Sequence, residues 1–243
     1  MKFLIQTVNK KVVHDFSFTL LESIRFQNWI RDEKKMKFKL LDYHEVLEPD
    51  DIYPIDFKPI HKDYIPIGSV EFVTEFLQTF YGLTPKPKNV PEELMKEFTG
   101  REIFNGTEKD IIGSKFVKSN DKIKSFADFC EEAPPGNYQI SEIINIDTEW
   151  RAFVYKNRLM GLQNYGGDFT TFPSVPAIDQ MIKAYKSSPI AYTLDVGVTS
   201  HWAKTVVIEV HDFFSCGLYG FADHNCLPFM FSNWFYEFIK QKS

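Results

Sequence analysis

Two acids set inside apolar runs are the residues of this chain best placed to do chemistry. Asp195 lies within Leu194-Asp195-Val196-Gly197-Val198, and Glu209 within Val206-Val207-Ile208-Glu209-Val210-His211-Asp212. An ionised carboxylate in a buried strand is costly unless it is paired or bound to a cation. The short polar turn from Thr199 to Lys204 between the two runs predicts a hairpin that brings the acids together. Oxygen ligands of this kind suit magnesium, which takes one or two carboxylates plus substrate phosphates. The alternative is a pair of strand acids facing solvent.

Upstream, Lys118 ends the apolar strand Phe116-Val117-Lys118, and Lys124 follows in the same polar stretch. A lysine leaving a buried strand carries its charge into the space at the sheet end, where phosphate oxygens could sit. A surface lysine would look the same in sequence. Glu149 and Arg151 are two residues apart, on one face of a strand. They read either as a salt bridge or as a pair that holds ribose and phosphate.

The elements that must position these residues follow from periodicity and punctuation. Phe3 to Gln6 reads as a strand, and Phe18, Leu21 and Ile24 begin a helical pattern reaching Trp29. Strands are expected over Phe38 to Tyr43 and Tyr64 to Ile67, then a helix over Val70 to Phe80 with Ser69 as N-cap. This alternation predicts a small α/β unit with a mostly parallel sheet. Pro85, Pro87 and Pro91 mark Thr84 to Pro91 as a linker, and Gly100 ends a short helix over Glu92 to Phe98. Beyond it the pattern turns to strands: Ser114 to Lys118, Tyr138 to Ile146, Trp150 to Tyr155 and Leu159 to Gln163. The last two form a hairpin about Lys156-Asn157-Arg158. A helix over Asp179 to Lys186, strands over Ala191 to Val198 and Thr205 to Val210, and a closing helix over Asn233 to Lys240 complete the pass.

Composition narrows the function classes. The 243 residues have room for one large domain or two small ones, and 24 Phe with 11 Tyr point to aromatic-rich cores. A net charge of −5 argues against a general binder of nucleic acid, which needs a cationic face. Cys130, Cys216 and Cys226 are odd in number and lack paired spacing, which fits a reducing compartment rather than a disulfide framework or a structural zinc. No run approaches the ~20 apolar residues that span a bilayer, so a cytoplasmic protein without a membrane partner is expected. The six histidines show no spacing with a cysteine that suggests a hydrolase dyad.

Taken in order, the FVKS segment with Lys124-Ser125-Phe126, the SEIINIDTEWRAFV segment, and the LDVGV and VIEVHDFFSCGLYGF segments resemble the ATP-grasp superfamily. In particular they resemble the phage and bacterial clade named for one arginine and two lysines. The resemblance implies an α/β (α+β) ATP-grasp fold over residues 85–243, with two α+β lobes holding ATP. A small α/β pre-ATP-grasp domain over residues 1–84 would precede it. It further implies that Lys118 and Lys124 contact the ATP phosphates, with Arg101 as another phosphate contact. Glu142, Ile143 and Ile144 would occupy the hinge that holds adenine, Glu149 would hold the ribose, and Arg151 a phosphate or acyl phosphate. Asp195 and Glu209 would bind magnesium.

Two departures stand out. His211 occupies the position where the family usually has an asparagine as third metal ligand, which could favour manganese, and Asp212 could substitute. Ser119 stands where a proline often follows the lysine.

The implied activity is an ATP-dependent carboxylate–amine ligase that works through an acyl phosphate, with an amino acid or a peptide as acceptor. Asn164 to Asp168, Asp212 to Tyr219 and Gly68 to Glu71 are candidate walls of the acceptor site. A homodimer is compatible with this reading, as is the host cytoplasm if the chain is phage-encoded. The rival readings are a nucleotide-binding or interaction module without turnover, and a kinase on the same fold.

Overall fold

The computed structural model describes residues 1–34, 43–48, 60–123, 125–199 and 204–240. Lys124, most of the strand expected over Phe38 to Tyr43, and most of the turn between Thr199 and Lys204 lie outside the described residues. The chain divides into two units, one made of Met1–Thr84 with Phe213–Ser243, the other of Pro85–Asp212.

The first unit opens with β1 (Lys2–Ile5), the small hairpin β2 (Thr7–Val8) and β3 (Lys11–Val12), and α1 (Asp15–Glu33). Then come β4 (Glu45–Leu47), β5 (Tyr64–Ile67) and α2 (Val70–Tyr81). The order β4-β1-β5 makes a parallel sheet, with Phe3 opposite Val46 on one side and Ile65 on the other. Phe3, Leu4 and Ile5 are all buried, as a parallel strand covered on both faces requires. α2 starts where the Ser69 side chain accepts a hydrogen bond from Phe72 N, and stops where Gly82 turns left-handed at φ 62°.

The second unit begins with α3 (Glu92–Phe98) and holds two antiparallel four-stranded sheets. One comprises β6 (Ile103–Thr107), β7 (Lys115–Ser119), β8 (Ala127–Cys130) and β9 (Asn137–Ser141), in the order β6-β9-β7-β8. The other comprises β10 (Ile146–Tyr155), β11 (Arg158–Gly167), β12 (Ala191–Thr199) and β13 (Thr205–Asp212), in the order β11-β10-β12-β13. α4 (Val175–Ala184) lies between β11 and β12 in sequence.

The expected strand over Tyr138 to Ile146 is in fact two. β9 ends at Ser141 in the first sheet and β10 starts at Ile146 in the second, so residues 142–145 carry the chain between sheets. The turn from β10 to β11 puts Lys156 at φ 51° and Asn157 at φ 57°, the left-handed pair that a two-residue hairpin demands. α4 starts earlier than the apolar spacing predicts because the Ser174 side chain accepts from Ala177 N and a proline fits the first turn.

One face of the β10-β12-β13 sheet is apolar. Trp150, Ala152, Val154, Leu194, Val196, Val207 and Val210 form a core with Leu94 of α3 and with Ile178, Met181 and Ile182 of α4. The chain returns to the first unit with α5 (Leu227–Lys240), longer than the expected closing helix. Among the described residues no helix is long and apolar enough to cross a membrane.

Candidate functional site

Strand register, more than sequence spacing, assembles the site. Arg151 of β10 pairs with Asp195 of β12, and Asp195 pairs with Glu209 of β13. Their neighbours at 150, 152, 194, 196, 207 and 210 point into the core. Side chains alternate across a strand, so Arg151, Asp195 and Glu209 form a row on the opposite face. A bulge keeps Glu209 in that row: Asp195 pairs with Glu209 but Val196 pairs with Val207, leaving Ile208 extra.

Charge closes the row. Arg151 Nε donates to Asp195 Oδ1 at 2.8 Å and Nη2 to Oδ2 at 2.7 Å, a two-point ion pair in which the Asp195 side chain is only 1% exposed. From the other sheet, Lys118 Nζ donates to Glu209 Oε2, and its ammonium lies 5.5 Å from the centre of the Phe116 ring. His211 Nε2 lies 2.9 Å from Glu209 Oε1 and 3.8 Å from Asp195 Oδ2. Burial pushes the Glu209 carboxyl up. His211 and Lys118 beside it outweigh that and hold it well below the ordinary carboxylate range. The two acids are therefore paired with cations, and are not a solvent-facing pair.

Asp195, Glu209 and His211 each offer one ligand atom, and these atoms lie within 4.8 Å of one another. Two carboxylates and an imidazole fit a divalent cation: the oxygens suit magnesium, and the imidazole shifts the balance toward manganese. Asp212 is not part of this group. It pairs with the core residue Tyr192, and its Oδ1 lies 3.9 Å from Lys88 Nζ.

Tyr165, beyond the expected strand end at Gln163, belongs to β11 and sits at a second bulge. Glu149 pairs with Gly166 and Trp150 with Asn164, which leaves Tyr165 extra. The Asn164 amide holds this bulge by donating to Thr148 Oγ1, Glu149 O and Gly166 O. Burial, with the Asp195 and Glu149 carboxylates nearby, keeps the Tyr165 phenol protonated far above its usual range. The Arg151 guanidinium lies 5.7 Å from the Tyr165 ring centre.

Arg101, between α3 and β6, reaches the back of the same row. Nε donates to Ser141 Oγ at 2.7 Å, Nη1 to Thr99 O at 3.1 Å and Val207 O at 2.9 Å, and Nη2 to Ile208 O at 3.4 Å. It thus ties the end of β9 to the bulge that presents Glu209. Burial pushes its pKa down to about 10, which leaves it charged at neutral pH.

Of the residues expected at the hinge, Glu142 takes Glu102 N on its carboxylate at 2.8 Å and donates its own N–H to Glu102 O at 3.0 Å. Ile143, about half exposed, and Ile144 lie in the same connection between the sheets.

The linker supplies contacts that sequence gave no reason to expect. The Gln139 side-chain amide accepts from Val90 N and donates to Val90 O, both at 2.9 Å. Asn89 Nδ2 donates to Ser119 O at 3.0 Å, and Asn89 O accepts from Val210 N at 2.7 Å. The segment before α3 is thereby attached to β7, β9 and β13. A paired donor and acceptor on a buried glutamine is the one trace such a clamp leaves in a sequence, and it is not distinctive.

Residues 98–228 match the family described as ATP-grasp domain, R2K clade family 2, and the chain belongs to that family. Its α+β architecture is the ATP-grasp fold. Among solved structures it is similar to the D-alanine–D-alanine ligase from Bacillus anthracis complexed with ATP, at 13% identity and a TM-score of 0.52, covering 100% of both chains. It is also similar to a RimK domain protein ATP-grasp from Sphaerobacter thermophilus, at 13% identity and a TM-score of 0.51, covering 99% of this chain and 100% of the other. At these identities the likeness is one of fold. Comparison with curated proteins gave no match.

Proposed function

We propose that the chain is an ATP-dependent carboxylate–amine ligase whose phosphoryl-transfer site is the Arg151–Asp195–Glu209 row with Lys118. One observation carries this reading: three ligand atoms from Asp195, Glu209 and His211 within 4.8 Å, beside the cations of Arg151 and Lys118, in a member of the ATP-grasp family.

In this reading Asp195, Glu209 and His211 hold magnesium or manganese, and the bound ion supplies neutralisation of phosphate charge. Lys118, with Lys124 after it, binds the ATP phosphates. Arg151, oriented by Asp195, contacts the transferred phosphoryl group. Glu142, Ile143 and Ile144 hold the adenine in the connection between the sheets, and Glu149 holds the ribose. Arg101 contributes chiefly by fixing the bulge at Ile208, and so the position of Glu209, with one N–H left for a phosphate oxygen. Residues 85–243 form the ATP-grasp domain and residues 1–84 the domain before it.

The reaction needs no side-chain nucleophile. A substrate carboxylate oxygen attacks the γ-phosphorus, the bond to ADP breaks, and an acyl phosphate forms. An amine then attacks the acyl carbon, and inorganic phosphate leaves with an oxygen that came from the carboxylate. Lowering such barriers is a matter of position and charge. An amino acid or a peptide is the proposed acceptor.

The test is isotopic. With ATP, magnesium and a panel of amino acids and peptides carrying labelled carboxylate oxygens, a ligase yields ADP, an amide and labelled phosphate. A stable phosphoester would make the protein a kinase. ATP binding with no product from any acceptor would favour a binding module.

A further inference from the structure

Among the described residues, α1 carries an outward face whose large side chains stay exposed. Its inward face buries Phe16, Leu20, Leu21 and Ile24. On the outward face Phe18 is 57% exposed and Trp29 58%, and beside them Phe26 is 37% exposed with its ring centre 5.4 Å from that of His224. Between them Arg25 Nη1 lies 2.8 Å from Glu22 Oε1, with both side chains in water. Single exposed aromatics are ordinary on a protein surface, but Phe18 and Trp29 in line on one helix face, with Phe26 beside them, mark a contact surface. The row Phe18, Glu22, Arg25, Trp29 advances by steps of four, three and four, the rhythm of a seam along which two helices pack.

The order of residues in that row selects the occupant. Two copies of α1 laid antiparallel, about a two-fold axis beside Ser23 and Ile24, set Phe18 against Trp29 and Glu22 against Arg25. Symmetry repeats each pairing, so one patch serves both sides. The aromatics then meet aromatics at both ends, and opposite charges meet in the middle. Parallel packing would instead put Glu22 on Glu22 and Arg25 on Arg25.

The seam also has natural ends. One turn further out Asp15 would face Asp32, two like charges. Asp15 already accepts from Leu218 N at 2.7 Å, and Asp32 from the Tyr43 hydroxyl at 2.8 Å.

We propose that this chain forms a symmetric dimer through the outward face of α1, with the two helices antiparallel and Glu22 of each copy paired with Arg25 of the other. The seam from Phe18 to Trp29 is about 17 Å long at 1.5 Å per residue. It is short beside interfaces of ~1,200 Å² or more that hold stable complexes, so the dimer is weak and dissociates on dilution.

Sedimentation of the full chain across a wide concentration range tests this. The mass is expected to rise from monomer to dimer. Arg25→Glu sets acid against acid at both central pairings and is expected to abolish the rise. Adding Glu22→Arg to it reverses the order of charges, restores complementarity and should restore the dimer. Trp29→Ala should weaken association about tenfold or more. All four positions face water, and circular dichroism confirms that each variant keeps its helix content.

Register is read separately by oxidation in a Cys130→Ser background. Phe18→Cys mixed with Trp29→Cys is expected to crosslink across the two proteins, and neither alone with itself. A wild type that stays monomeric, an Arg25→Glu variant that dimerises undiminished, a double variant that stays monomeric, or like-with-like crosslinking would each overturn the proposal.

Discussion

Arg151 and Asp195 face each other in register on β10 and β12 and close a two-point ion pair of 2.8 and 2.7 Å, with both side chains buried. Neither charge has water to fall back on. Asp195→Ala leaves the Arg151 guanidinium without its carboxylate. It is expected to cost roughly 3–5 kcal/mol of unfolding free energy, as breaking one side of a buried pair does. Urea denaturation of the variant checks this, and a loss under ~1 kcal/mol would mean that the pair is more hydrated than its burial indicates.

Arg101 is expected to matter through Glu209. Arg101→Lys keeps a cation but loses the planar fork that reaches Ser141, Val207 O and Ile208 O together. The bulge carbonyls are then left short of donors, a loss of about 1–3 kcal/mol. Thermal unfolding reads that loss. Manganese affinity, measured by calorimetry, should fall with it because Glu209 moves. Unchanged metal affinity in a destabilised variant would reduce Arg101 to a purely structural residue.

Gln139→Ala removes both hydrogen bonds to Val90 and leaves a backbone donor and acceptor unmade in a buried place. A destabilisation of about 1–3 kcal/mol is expected. Faster amide exchange should be confined to Asn89, Val90 and the start of α3, and exchange that speeds up throughout the unit would point to global unfolding instead.

Glu93 offers a pH test away from the site. Its carboxylate accepts from Ser187 N at 3.1 Å, and the Ser187 side chain first, with that backbone N–H, holds its pKa below the ordinary value. A carboxyl depressed on folding contributes stability above its unfolded pKa of ~4.3, and the contribution disappears as pH falls through the lower folded value. Glu93 is mostly in water, so the effect is a few tenths of a kcal/mol. Glu93→Gln should flatten the fall in stability below about pH 4.3 and leave it nearly unchanged at pH 7. Equal acid sensitivity in the two proteins would contradict the assignment.

What was legible in the sequence follows from how strong each local signal is. A lone acid inside an apolar strand is a sharp anomaly, so Asp195 and Glu209 stood out, and the polar turn between their strands made a hairpin the natural pairing. Caps and breakers were equally plain: Ser69 starts α2, and the prolines after Thr84 fall at the first crossing between the two units, while the second crossing, after Asp212, carries no such mark. The partner of Arg151 was not legible. Glu149 is closer in sequence and on the same face, but strand register brings Asp195 opposite Arg151. The two bulges at Ile208 and Tyr165 leave no mark in residue type, though they decide which side chains join the row. β6 and β8 were missed because Gly106 interrupts one and the other is mostly exposed, so neither shows an apolar alternation. The break after Ser141 hid inside an apolar run that continues through Ile146 while the chain changes sheets.

Calorimetric titration of ATP with and without magnesium, into the wild type and Glu209→Gln, tests the central claim most directly. The variant removes a carboxylate charge from the row but keeps its shape, so the fold should persist. The wild type is expected to bind ATP much more tightly with the metal than without, and Glu209→Gln to lose most of that difference. A wild type indifferent to the metal, or a variant in which the metal effect survives intact, would contradict a metal–nucleotide site at Asp195, Glu209 and His211.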